Sequence, residues 1–357
     1  MHPILRNIAH RCFPFLVKPY RKGRDWLAGF GKFPRELREI WHIRRKQYES
    51  GSDDRRFYDK YYTPDHVSDH VEAGVIYMAD GRMLHGGLTD RIRGILTTYE
   101  YLKGRGIPFF IHWVHPFNLE DYLVPSGKVD WRIDPERISF SGSEAFPVVI
   151  MESLNPQTHV VNRLRLKMAL ADSRCQTHVY SNADNASGRY RGLYEELFRP
   201  SELLRREVDR HLMAIGGKYW AMTFRCRNLL GDFVEHDNTV LGPDEQAGFM
   251  DRLMREFTAV AENLPEGYKV LVTSDSRKLL DFMKARDPRI YVVPGDVKNI
   301  DLNAGEHRGA WLKTFTDQQL IMHAERVYLL QNGSMYKSGF PRFAAEIGGK
   351  PFIYHKF

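Results

Sequence analysis

Apolar residues along this chain come in short blocks, most of them separated by amphipathic stretches of helical period. Gly74–Ala79 reads Gly-Val-Ile-Tyr-Met-Ala, a continuous apolar run of the kind expected for a strand buried on both faces. A glycine-rich turn follows (His85-Gly86-Gly87-Leu88-Thr89-Asp90-Arg91), and Ile92, Ile95, Leu96, Tyr99 and Leu102 then recur at helical spacing to about residue 103. Gly104 and Gly106 end that helix, and 108–113 is the next strand. The middle of the chain is less regular. It reads as a short helix at 118–122, a loop-rich stretch with short strands over 124–160, a helix at 159–171, a strand at 176–180, and helices at 187–198 and 200–214.

Beyond Gly216-Gly217 the alternation sharpens. Strands are expected at 219–225, 269–273, 289–293, 327–331 and 351–354. Helices over 243–263, up to 285, over 315–324 and over 338–347 fall between them, with a polar loop at 295–311. Strand–helix alternation of this kind builds mostly parallel sheets. The expected fold class is therefore α/β, with two Rossmann-like, doubly wound domains facing a cleft. The expected division is a leader at 1–60, a first domain at 61–215 and a second at 216–357.

Charge changes that picture at one end. The net charge of +7 is concentrated in residues 1–48, which carry twelve Lys/Arg against Asp25, Glu36 and Glu39, so the remainder is close to neutral. Phe13, Phe15, Trp26, Phe30, Phe33 and Trp41 interleave with those bases, and 35–48 has the spacing of a longer helix. The pattern fits either a foot on an anionic membrane surface or a basic leader, partly disordered or wrapped on the protein body. Nucleic-acid binding has no recognised module behind it. No apolar run of about 18 residues is present, so no membrane-spanning helix is expected, and no cleaved signal peptide is expected either. Cys12, Cys175 and Cys226 are odd in number and widely spaced, which points to a reducing, cytoplasmic compartment, peripheral to the inner membrane face if the leader is such a foot.

Candidate chemistry collects at predicted strand ends. The strand 219–225 runs into Arg225 and Arg227, two guanidiniums that need either an anion or partner carboxylates, and Gly231-Asp232 then turns the chain. Strand 269–273 ends in Ser274-Asp275-Ser276, where an Asp either caps the next helix or accepts from a guanine N1–H and amino group. Ser338-Gly339-Phe340 opens a helix whose amides can hold an anion, with Phe340 reading as core packing beside them. In the first half, Gly86 and Gly87 let backbone amides approach a ligand, Thr89 can cap the helix, and Asp90 either favours the helix dipole or projects into the cleft.

The order and spacing of these motifs over about 74–354 resemble the GT-B superfamily that includes α-1,6-fucosyltransferases, α-1,2-fucosyltransferases and protein O-fucosyltransferases. The resemblance implies inverting, metal-independent transfer of fucose from GDP-fucose, with no cofactor, to a glycan or glycolipid acceptor. In that reading Arg225 meets the donor β-phosphate and leaving oxygen, Asp275 and Ser276 read guanine, and Ser338, Gly339 and Phe340 cradle the diphosphate. Gly86, Gly87, Thr89 and Asp90 form the glycine turn on the acceptor side, and Asp90 and Asp232 are the candidate general bases. Thr223 stands where the family often has His and Cys226 where a second Arg is common. Arg227, on a strand that continued through it, would point to the opposite face from Arg225. A donor such as GDP-mannose, or a silent nucleotide- or glycan-binding protein of the same fold, is the alternative. If the leader is a membrane foot, deleting residues 1–48 abolishes co-sedimentation with anionic vesicles; unchanged sedimentation would dismiss that foot.

Overall fold

The computed structural model describes residues 57, 61–62, 71–151, 166, 175–233, 239–301 and 307–357. The basic leader, its helix at 35–48 and most of the helix expected at 159–171 lie outside the described residues.

The first half runs β1 (Gly74–Ala79), α1 (Leu88–Leu102), β2 (Phe109–Trp113), β3 (Leu123–Pro125), β4 (Ala145–Ile150), β5 (Gln176–Ser181), α2 (Tyr190–Leu197), β6 (Phe198–Pro200) and α3 (Glu202–Ile215). The second runs β7 (Tyr219–Phe224), α4 (Pro243–Ala261), β8 (Lys269–Ser274), α5 (Arg277–Lys284), β9 (Ile290–Tyr291), α6 (Arg308–His323), β10 (Arg326–Gln331), α7 (Phe340–Gly348) and β11 (Phe352–Lys356). Two parallel sheets result, ordered β2-β1-β5-β4 and β11-β10-β7-β8-β9, with β3 and β6 as a separate antiparallel ribbon. In each sheet the chain winds outward on one side of its first strand and then returns to the other side. The reversal opens a crevice at the C-terminal ends of β1 and β5 in one sheet and of β7 and β10 in the other, where α/β folds place their ligands.

One hydrophobic cluster covers a face of each sheet and joins them. It contains Val75, Tyr77 and Val179 from the first sheet and Ala221, Leu271 and Val327 from the second. Tyr122 stacks on Phe315 of α6 with ring centroids 4.6 Å apart, and Phe117 lies 5.5 Å from Trp311. The outer face of the second sheet packs on α4 and α5 through Trp220, Met222, Phe249 and Leu279. A smaller cluster around Ile76, Met78 and Tyr180 covers the outer face of the first. The chain boundary expected at Gly216-Gly217 falls between α3 and β7, where Gly216 closes α3 at φ 75°, yet the packing runs straight past it.

Three elements differ from expectation for identifiable reasons. The helix expected through 198 stops at Leu197, because Phe198–Pro200 pairs with β3 instead. Strand β9 is confined to Ile290–Tyr291, since only that pair is in register with β8. Helix α6 begins at Arg308, well inside the expected polar loop. Its Lys313, Thr316, Asp317, Gln318 and Gln319 are all buried, so polarity there marks a helix enclosed on nearly every side and no amphipathic signal survives.

Close approach of α1 to β5 depends on Gly94. A Cβ there would stand 2.0 Å from the Ser181 carbonyl oxygen and 3.0 Å from the Tyr77 hydroxyl, which itself donates to that carbonyl at 2.7 Å. Backbone cannot yield as a side chain does. Gly94→Ala should therefore destabilise the protein by at least ~1–3 kcal/mol, read as a lower urea midpoint at unchanged slope.

Candidate functional site

A cavity of about 710 Å³ lies where the two crevices meet. Its first wall is the segment after β1 (Leu84 and Gly86 to Asp90), Arg93 of α1 and Asp184 after β5. Its second wall is Arg225 and Arg227 after β7, Thr273 to Asp275 at the end of β8, Val297 to Asp301, and Tyr336 to Phe340 after β10. The walls approach each other closely: a Cβ at Gly339 would stand 3.8 Å from Arg93 Nη1.

Arg225 and Arg227 both line the cavity, contrary to the alternation argument. Strand β7 ends at Phe224, and the chain then enters a 3-10 turn in which Arg227 takes a φ of 55°. It is the one non-glycine residue with positive φ among the described residues, a conformation that needs enforcement. Asp275 supplies it. Its Oδ1 accepts from the Cys226 amide at 2.8 Å and the Ser274 hydroxyl at 3.3 Å. Its Oδ2 accepts from the Arg227 amide at 2.7 Å and faces Arg225 Nε at 3.3 Å. A carboxylate offers about four acceptor positions, and all are taken. In this arrangement Asp275 holds the turn after β7 and Arg225 in place while lining the cavity. Burial pushes its carboxyl above the usual carboxylate range, and Arg225 and the two amides offset part of that. Phe233 completes the support, with the Arg225 guanidinium carbon 4.6 Å from its ring centre.

Two expected site residues belong to the scaffold. Asp232 Oδ2 accepts from the Ser276 hydroxyl at 3.0 Å and the Lys278 amide at 2.8 Å, while Ser276 caps α5 by accepting from the Leu279 amide at 3.1 Å. Neither lines the cavity. The structure thus places Asp232 and Ser276 beside the cavity, in contact with each other and with the start of α5. Cys226 is fully buried, and Thr223 bonds Thr273 across the sheet at 2.7 Å. Cys226 is thus a packing residue, whereas Thr223 also lines the cavity.

The glycine turn also differs from expectation. Asp301, reaching from the loop beyond β9, accepts from the Gly86 amide at 2.6 Å and the buried Arg91 Nη2 at 2.7 Å. Arg91 in turn donates to the His115 carbonyl at 2.8 Å. Gly87 is the helix N-cap, and its amide donates to Asp90 Oδ2 at 3.0 Å. Both glycine amides are taken up within the protein, and Thr89 does not cap the helix. Its Oγ1 is buried in the cavity wall without a hydrogen-bond partner among the described residues. Asp90 stays at the cavity, joined to Arg93, which donates to Asp184 at 2.8 Å on its other side.

Ser338 accepts from the Phe340 amide at 3.3 Å, Gly339 caps α7, and Phe340 packs partly on the shared core. Lys337 and Lys298 line the same wall. Sequence reasoning missed Asp301, Asp184, Arg93 and Asp317. Asp317 pairs with Lys313 at 2.6 Å, both almost fully buried, and its Oδ1 has no hydrogen-bond partner among the described residues. Burial pushes that carboxyl upward, with Lys313 opposing. A carboxylate oxygen left over in a cavity wall can accept from a ligand N–H or O–H.

No protein-family model matches the sequence, and no curated protein matches it. Solved structures do match. The α-1,6-fucosyltransferase NodZ soaked with GDP-fucose is similar at 15% identity and a TM-score of 0.51, over 77% of this chain and 92% of that one. NodZ co-crystallised with GDP gives 17% identity and 0.50, over 76% and 91%. A mutant of FUT1 from Arabidopsis thaliana in complex with GDP gives 11% and 0.50, over 91% and 79%. The fold is that of the GT-B fucosyltransferases.

Within this GT-B cleft the turn carries one pH-sensitive group. His85, fully buried between Tyr77 and Tyr180, lies with Nδ1 2.9 Å from the Met83 carbonyl oxygen. Burial, with the nearby Arg91 charge, lowers its pKa from 6.5 to about 3. The native state therefore holds it neutral, while the unfolded state takes up a proton as pH falls below 6.5. Stability from this group is full above 6.5 and is lost from there down to about 3. Between pH 7 and pH 5 the protein should lose about 2 kcal/mol more than His85→Phe does, checked by urea midpoints at the two pH values.

Proposed function

We propose that this chain is an inverting glycosyltransferase that moves fucose from GDP-fucose to a hydroxyl of a glycan or glycolipid. The carrying observation is the asymmetry of the cleft: Arg225, Arg227, Lys298 and Lys337 on one wall, beside Asp275 and Asp301 that are already bonded within the protein, and Asp90 with Arg93 and Asp184 on the other. A diphosphate brings negative charge that grows as it leaves, and preorganised cations in a partly enclosed cleft stabilise that growth. The acceptor oxygen attacks the anomeric carbon as the bond from that carbon to the β-phosphate oxygen breaks. GDP departs towards Arg225, and the hydroxyl proton passes to Asp90. Protein cations, in this reading, take the charge that a metal ion takes in other transferases. The neighbours solved with GDP-fucose or GDP support the choice of donor.

Among the described residues no helix is long and apolar enough to cross a membrane. In this reading a lipid-linked acceptor is met at the membrane surface through the basic leader. Calorimetry should show GDP binding and no UDP binding. Arg225→Ala should weaken GDP binding and lower turnover of GDP-fucose roughly 10²–10³-fold. Absence of binding by either nucleotide would dismiss the reading.

A further inference from the structure

The cavity contains one aromatic ring that the core does not use. Phe224 and Phe233 in its wall are buried and Phe340 packs against the core, whereas Tyr336 is 51% exposed. Tyr336 is also held in place. Its amide donates to the Arg225 carbonyl at 3.2 Å, and the Arg227 guanidinium carbon lies 5.2 Å from its ring centre. That guanidinium belongs to the residue at φ 55°, whose amide is fixed by Asp275. A strained backbone thus keeps a cation on one face of an exposed ring in the cavity wall. An aromatic face backed by Arg is a stacking surface for a flat heterocycle.

We propose that Tyr336 is the platform on which the donor's nucleobase stacks, against the ring face away from Arg227. The inference rests on the reading of the cleft as a nucleoside-diphosphate-sugar site and adds where the base lies. Tyr336 directly precedes Lys337, Ser338 and Gly339 in the chain. A base on its ring sets the attached phosphates towards the start of α7 and Arg225, whereas the Lys337 ammonium lies 4.6 Å from the Tyr354 ring centre. Stacking needs a π-face and no particular pattern of donors and acceptors. Tyr336 accordingly gives affinity for a base without choosing between purines.

The test is calorimetry with GDP and with inorganic pyrophosphate on the full chain, Tyr336→Ala and Tyr336→Phe, with a urea midpoint for each. Tyr336→Ala should weaken GDP about 5- to 150-fold, leave pyrophosphate and the urea midpoint unchanged, and be rescued by Tyr336→Phe. Equal weakening of GDP and pyrophosphate would overturn the platform, because Tyr336 would then act only by shaping the phosphate loop. Unchanged GDP affinity would also overturn it, as would a Tyr336→Phe variant as weak as Tyr336→Ala. A wild-type chain that binds no GDP would instead remove the donor reading itself, and this inference with it. A wild type that binds GDP beside an indifferent Tyr336→Ala removes this inference alone.

Discussion

One buried carboxylate, Asp275, sets the shape of the cationic wall. It sits at the end of β8 and takes up the two amides that β7 leaves unpaired as its strand ends, together with the Arg225 guanidinium. Burying a carboxylate is costly, and removing its partners would leave the full cost exposed. The pairing therefore works in both directions. Asp275 needs the turn after β7, and the turn, with Arg227 in a conformation unfavourable for a side chain, needs Asp275. Placing cations by a buried acid on the neighbouring strand makes their position a property of the sheet rather than of a loop.

The opposite wall follows a similar rule with other groups. Asp301 grips the Gly86 amide and Arg91 from across the molecule, so the glycine turn serves as an attachment point between the two sheets. What faces the cavity is the row Asp90, Arg93 and Asp184, whose charges nearly balance.

Much of the architecture was legible because buried parallel strands are written as apolar runs. Gly74–Ala79, Tyr219–Phe224 and Lys269–Ser274 appear in the sequence almost as they appear in the fold. The strand ends also located the cavity. Arg225, Arg227, Asp275 and Ser338 are brought together there, with Asp275 also holding the turn that carries the two arginines. What local pattern could not show was partner choice. Whether Asp232 faces a ligand or Ser276, and whether Gly86 faces a ligand or Asp301, depends on residues tens to hundreds of positions away. Helix α6 was misjudged for a related reason: Lys313 and Asp317 neutralise each other in the interior, so two charged residues read as exposure where burial holds. The turn at Arg227 was hidden because only a long-range acceptor makes its φ tolerable.

The shared hydrophobic cluster has a consequence for modularity. Tyr122 and Phe117, from the first half, stack on Phe315 and Trp311 of α6, from the second. Either half made alone would present those rings to water as a broad apolar face. A chimera that exchanged everything after Gly216 would have to import a helix shaped to fit them. The unit that can be transplanted is therefore the whole two-sheet body, and variation between such proteins is accommodated most cheaply in the loops at the strand ends, where a residue such as Tyr336 can change without disturbing the joint.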